Sequence, residues 1–387
     1  MNNGPVAKNQ SNTRDTVAGF SVRVTASNAM NGFLRRVRAV ARVIGVTIIH
    51  IFLALCVAWG TFAIIFSGLA PQFAWPCAAA FATLGIWSLW SRHPRHVHLL
   101  FPVLLVIVLM LWSRVQPSHE RDWRPEVAVM PRATMEGDRV RITGVRNFVY
   151  GRDQNEFVPH YEDREVALSH LQGVDYFISY WMPGPIAHTF VSFVFDNAAP
   201  LSISIEARPE KGEGYSPLGS LFKQFELIYV VGDERDLVRV RTNYRHEQVF
   251  LYRIQMPPEV ARRLFLVYLT RINELADRPE FYHLLANSCT VNIVRYASAA
   301  SAPLPFDIRY YLNGLSDRFL YRTGRLETGM AFEQLRLRAH INALAHAASN
   351  EDFSKQIRAT LKPSRVASPI HGSGVASEKA RERLIAD

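Results

Sequence analysis

Cysteine is scarce: the 387 residues hold three, at positions 56, 77 and 289. No two form a CxxC pair, which excludes the usual zinc spacing, and three thiols build no disulfide framework. Acidic residues are missing altogether from 43–112, where the only basic side chains are Arg92 and Arg95. A stripe of Lys/Arg interleaved with aromatics is also missing, so the net charge of +10 does not imply a nucleic-acid partner. Much of that charge is local. Lys8, Arg14, Arg23, Arg35, Arg36, Arg38 and Arg42 precede the acid-free stretch, against Asp15 alone. No internal repeat is present. No small-residue cleavage site ends a short apolar core, so a secretory signal peptide fits poorly.

What fills the acid-free stretch is apolar. Residues 43–67 are long enough to span a hydrocarbon core of roughly 30 Å, and 72–90 form a second span edged by Pro71 and tryptophans. A third segment, intensely apolar over 99–112, spans if its flanks over 97–114 join it. Basic residues before the first span, and "SRHPRH" between the second and third, orient both flanks toward the cytoplasm. Three crossings place everything after residue 115 outside the cytoplasm; two crossings leave it inside. The expectation is a multi-pass bacterial inner-membrane protein with a periplasmic domain: a basic, disordered 1–42, an anchor over 43–115, a globular 116–330, a helix over 331–349 and a flexible 350–387.

The globular region reads as α+β. Strands are expected over 139–150, 174–182, 188–197 and 201–208, with two more around a Gly232–Asp233 turn and one in "EQVFLYRI". Helical spacing of Val260, Leu264, Val267, Tyr268, Ile272 and Leu275 predicts a helix over 257–277. Another begins near Asn287 or Ser288 and runs from Thr290 to Ala300. The stretch 310–326 reads as irregular or helical.

Cys289 therefore stands where a helix begins. Unpaired backbone N–H groups and the helix dipole there stabilise a thiolate, and the same groups suit a developing oxyanion. A buried packing cysteine fits the position equally well. A nucleophile needs a base. Among nine histidines after residue 115, His188 opens the strand "HTFVSFVF" directly after the loop "WMPGPIA"; His283 and His246 are the other candidates. Glu206, on the neighbouring strand, is placed to orient an imidazole if the register agrees. Arg208 and Lys211 are candidates to meet an anionic substrate group, against local salt bridging at a solvated strand end.

Together, "VRNFVYGRDQNEFVPHYEDREVALSHLQGVDYFISYW", "HTFVSFVF", "SISIEARPEKGEGYSP", "LYRI" and "FYHLLANSCT" resemble the Lnb N-terminal periplasmic domain family over about residues 120–300. The resemblance implies a permuted papain-like (NlpC/P60-type) fold in which the histidine strand precedes the cysteine helix. It implies lipoprotein intramolecular transacylase chemistry, in which an acyl chain moves from a diacylglyceryl group to an N-terminal amine. It assigns the cysteine of the family's N-x-C-T block to Cys289 and the histidine of its H-x-x-x-x-F strand to His188. Asn287 and Tyr150, which stand in the same blocks, join Arg208 and Lys211 as expected substrate contacts.

The expected protein is thus a membrane-anchored cysteine acyltransferase or hydrolase, with Cys289, His188 and Glu206 catalytic. Its expected partner is a membrane lipid or lipoprotein substrate, with no cofactor, metal or nucleic acid. A cysteine peptidase or amidase, and a non-catalytic binding module, are the alternatives.

Overall fold

Long runs of uncharged apolar residues without strand punctuation coil into three helices in the computed structural model, which describes residues 14–90, 95–153 and 155–361. These are α1 (Arg14–Ile65), α2 (Pro71–Trp90) and α3 (Arg95–Arg114), and they make up the first of two compact units, Met1–Arg114 and Val115–Asp387. Val57, Phe81 and Phe101 form the seam between them. Gly60 and Gly85 allow it: a Cβ on Gly60 would stand 2.5 Å from the Phe81 ring, and one on Gly85 2.4 Å from Val57. The remaining faces stay apolar and uncovered, with Phe52 63% and Leu55 64% exposed. Among the described residues, Phe33–Ile65 is the one helix long and apolar enough to cross a membrane, and Leu99–Arg114 is a shorter apolar helix. The basic segment expected to be disordered is instead helical from Arg14, because nothing breaks its continuation into the apolar run; residues 1–13 lie outside the described residues.

The second unit is α+β. Its first strands are β1 (Arg132–Glu136), β2 (Arg139–Arg146), the short pair β3 (Val149–Tyr150) and β4 (Phe157–Val158), and β5 (Tyr161–Ala167). Then come β6 (Leu171–Tyr180), β7 (His188–Phe195), β8 (Leu201–Arg208) and β9 (Glu226–Asp233). A short α4 (Glu234–Leu237) and a π-helical turn (Val240–Tyr244) lead into β10 (Gln248–Arg253). The helices α5 (Pro258–Asp277), α6 (Cys289–Ala300), α7 (Ser316–Arg322), α8 (Phe332–Ala339), α9 (Asn342–Ala347) and α10 (Phe353–Gln356) follow.

The sheet runs β1-β2-β9-β8-β7-β6-β10, with β5 also on β2. Every pair is antiparallel except β2 with β9. Alternation along β6 and β7 sends Tyr176, Ile178, Val191 and Phe193 to the face covered by α5 and α6, where the Phe193 ring lies 4.7 Å from Phe265. Phe177 and Phe190 point the other way and pack on Ile341, Ala345, Phe353 and Ile357. With both faces covered, β6 and β7 are the buried middle of the domain, and α6 is held against β7.

Several expectations change here. Two strands were expected around Gly232–Asp233. Instead Asp233 accepts the Arg235 N–H as a helix N-cap, and the chain turns into α4 and the π-helical turn. Gly232 lies inside β9 because a Cβ there would meet the Arg146 carbonyl at 2.9 Å. The helix expected over 331–349 is two helices, since Ile341 N–H donates to the Val249 carbonyl and interrupts the ladder. Residues 350–361 are ordered: Phe353 and Ile357 are buried, and Arg358 pairs with Asp175 and Glu234. Beyond 361 the expected flexible tail lies outside the described residues.

Candidate active site

His188 is the first residue of β7, and β7 pairs with β8 in the register Phe190↔Ser204. Continued two residues toward the start of β7, that register sets His188 opposite Glu206, and both side chains line one cavity. The contact is chiefly indirect. His188 Nε2 lies 2.7 Å from Ser204 Oγ, and Ser204 Oγ donates to Glu206 Oε1 at 2.6 Å, while Nε2 and Oε1 are 3.7 Å apart. A hydroxyl has one proton. Ser204 spends it on Glu206, so toward His188 it accepts, which places the imidazole proton on Nε2 and leaves Nδ1 as the basic nitrogen.

Glu206 is itself held. Burial pushes its carboxyl up, but Arg241, His188, Arg146 and the Ser204 hydroxyl outweigh that and keep it well below the usual carboxylate range. Arg241 Nη2 lies 2.8 Å from Oε1, and its guanidinium sits over the Phe190 ring at 5.1 Å.

Cys289 is the first residue of α6. Ser288 precedes it in extended conformation, φ −91° and ψ 172°, and accepts the Asn292 N–H at 3.0 Å to start the helix. The turn before it is built by polar side chains. Asn287 donates to the Phe281 carbonyl and Glu280 and accepts from Asn292, and His283 Nδ1 accepts the N–H groups of Leu285 and Ala286. The first-turn N–H groups of α6 have no partner within the helix.

The thiol is 4% exposed and lines the same cavity as His188. Burial pushes its pKa up; a hydrogen bond and charge from His188, then the Thr189 backbone and hydroxyl, more than offset this and lower it from 9.0 to about 6. Asn313 Nδ2 lies 3.7 Å from the sulfur, and Thr290 Oγ1 3.8 Å. The arrangement is a base, an orienting hydroxyl–carboxylate pair and an activated thiol, which together can form and break a bond to an electrophilic carbonyl.

The cavity has a volume of about 720 Å³. Trp181, Tyr215, Phe225, Tyr282, Leu285 and Tyr311 give much of it an aromatic and aliphatic wall, and Arg124, Arg241, Arg245 and Glu247 add charged groups to the lining. The Arg245 N–H donates to the Val240 carbonyl at 2.9 Å, and its guanidinium lines the cavity.

The structure brings Cys289, His188 and Glu206 together. It does not bring the expected substrate contacts with them. Arg208 is 2% exposed, donates to the carbonyls of Val127 and Ala128, and stacks 4.2 Å over Trp123. Its cation is consumed by the fold, because the side chain points inward at the end of β8. Lys211 pairs with Asp122 at 2.6 Å on the surface. Asn287 is spent on the turn, and Tyr150 donates to Asp236 at 3.0 Å inside a network with the buried Arg146. None of the four lines the cavity. Of the other candidate bases, His283 organises the turn and His246 has a left-handed backbone, φ 54°, outside the cavity lining. Sequence reasoning missed Ser204, Arg241 and Asn313. For Ser204 a signal existed: it lies two residues before Glu206 on the same face of β8.

No curated protein and no solved structure matches the chain. Residues 157–314, the stretch that carries His188, Ser204, Glu206, Cys289 and Asn313, match the family model of the Lnb N-terminal periplasmic domain, the family that the sequence blocks resemble.

Proposed function

We propose that the protein is a membrane-anchored, periplasmic cysteine acyltransferase or hydrolase acting on lipid or lipoprotein acyl groups. The observation that carries the reading is the acidified Cys289 thiol beside His188 in a cavity walled largely by aromatic and aliphatic side chains. An acyl chain fits such a wall; a peptide backbone, with a donor and an acceptor at every residue, fits it poorly.

His188 Nδ1 takes the Cys289 proton, and the sulfur adds to an ester carbonyl carbon. The oxyanion is held by the unpaired N–H groups at the start of α6. The intermediate collapses to a thioester as the ester oxygen leaves, taking the proton from His188. An amine then attacks the thioester to give an amide and restore the thiol; water in its place gives a carboxylic acid. Glu206, through Ser204, keeps the imidazole in the tautomer this needs. The order of a histidine strand before a cysteine helix supports a permuted papain-like arrangement.

Three crossings by α1, α2 and α3 fit this reading. Their uncovered faces are apolar, as lipid contact demands, and Arg35, Arg36, Arg38 and Arg42, ahead of the apolar part of α1, suit a cytoplasmic start. A periplasmic reporter fused after residue 120 should be active, and an inactive one removes a crossing. The chemistry is tested by the N-terminal acylation state of lipoproteins, measured by mass spectrometry in cells making Cys289→Ala or the parent protein. An unchanged profile with Cys289-dependent activity elsewhere overturns the lipoprotein reading. The charged side chains of Arg124, Arg245 and Glu247 in the lining favour a second reading, amidase or peptidase action, for which release from peptidoglycan fragments is the assay.

A further inference from the structure

Resting on the reading that Cys289 attacks a carbonyl, we propose that the Asn313 carboxamide is the side-chain half of the oxyanion site. It would donate Nδ2–H to the carbonyl oxygen as negative charge develops there.

Asn313 opens a single 3-10 turn, Asn313–Leu315, and is 8% exposed. The direction of its amide follows from its bonds. Oδ1 accepts the Ala187 N–H at 2.8 Å, so the NH₂ group is the end that faces Cys289 Sγ, at 3.7 Å. Ala187 immediately precedes His188, so one backbone bond ties the donor to the strand that carries the base. The turn is fastened again at Gly314. Its N–H donates to the Pro185 carbonyl at 2.9 Å, its carbonyl accepts the Tyr180 hydroxyl, and a Cβ there would stand 2.8 Å from the Pro185 backbone. No larger residue at 314 lets the turn approach so closely.

A donor held this firmly needs no reorganisation when charge appears. The 3.7 Å contact to the sulfur is long, so little is given up when the amide donates to a nearer oxygen. Once a carbon is bound to Sγ, its oxygen projects one bond further, into the space between Asn313 Nδ2 and the first-turn N–H groups of α6. A neutral amide also leaves the thiolate and imidazolium undisturbed, as a cation in its place would not. Of the other donor side chains near the thiol, Thr189 and Thr290 share one hydrogen bond and keep one hydroxyl proton for the sulfur itself, and Arg241 is taken up by Glu206.

The test uses the full-length protein in detergent with a chromogenic acyl ester, following Cys289-dependent turnover, and compares it with alkylation of Cys289 by iodoacetamide at about pH 8, where the thiol is already ionised. Alkylation has no oxyanion. Asn313→Ala removes the donor, and Asn313→Leu removes it with an uncharged side chain of similar volume. Both should lower kcat roughly 10²–10³-fold with KM changed less than about threefold, while alkylation keeps the parent rate. Parent-like kcat in both variants, or a fall in alkylation that matches the fall in kcat, overturns the assignment and leaves Asn313 a loop fastener. A parent protein without Cys289-dependent turnover overturns the acyl-transfer reading, and this one with it.

Discussion

Thr189 and Thr290, the residues directly after His188 and Cys289, share a hydrogen bond at 2.8 Å between β7 and α6. Both are buried, 0% and 2% exposed. The strand carrying His188 and the helix carrying Cys289 are thus joined one residue behind the imidazole and the thiol. A change in the packing of α6 on the sheet moves both together.

That link is measurable. Thr290→Val leaves the Thr189 hydroxyl short of a buried partner and should cost about 1–3 kcal/mol in denaturant unfolding. Thr189→Val/Thr290→Val should cost less than the two single changes added, with a coupling of about 0.5–3 kcal/mol. Strict additivity would show that the two hydroxyls are independent.

The thiol predicts a pH profile. Its pKa is lowered from 9.0 to about 6, so the thiolate is present above about 6 and is lost as pH falls through that value. The rate of iodoacetamide alkylation should therefore rise with an inflection near pH 6. In His188→Ala the largest lowering influences are gone while burial and the Thr189 bonds remain, so the inflection should move to higher pH. An unmoved inflection in the variant would mean that helix position and the Thr189 bonds activate the sulfur without the imidazole.

Ser204→Ala tests the hydroxyl between His188 and Glu206. With the 2.7 Å and 2.6 Å contacts removed, the imidazole loses its fixed tautomer, and kcat should fall about tenfold to a hundredfold. Lys211→Ala, which touches only Asp122 at the surface, should keep parent kcat and KM. If Ser204→Ala keeps full activity, the 3.7 Å approach of Glu206 to His188 suffices alone.

Stability behind the site rests partly on Arg146, which is 4% exposed on its side chain and makes two bonds of 2.9 Å to the fully buried Asp236. Asp236→Ala strands that guanidinium and takes away the acceptor of the Phe148 N–H and the Tyr150 hydroxyl. We expect a loss of about 3–5 kcal/mol in chemical unfolding, and a loss under 1 kcal/mol would show that water replaces the carboxylate.

Local pattern was enough for much of this protein. Apolar runs without acids can only be helices that hide from water or lie in lipid. Period-two alternation makes β7 and β8 strands, and a capping residue at Asn287 or Ser288 ahead of a helical stretch puts Cys289 where a helix begins. Those features depend on neighbours in sequence, and they also carry the family resemblance that residues 157–314 share.

Tertiary structure decided which polar groups meet. Arg208 and Arg241 are both arginines near β8 or its neighbours, yet one is spent on Val127 and Ala128 carbonyls under Trp123 and the other holds Glu206. No periodicity distinguishes them, because a guanidinium goes wherever the fold leaves an unpaired acceptor. Asn313 is more than a hundred residues from His188 in sequence and reaches the sulfur only through the Ala187 bond that fastens its turn. The sequence by itself determined that a lone, helix-start cysteine and a strand-start histidine exist. Register, burial and chain closure decided that they line one cavity, and which hydroxyl, carboxylate and amide stand beside them.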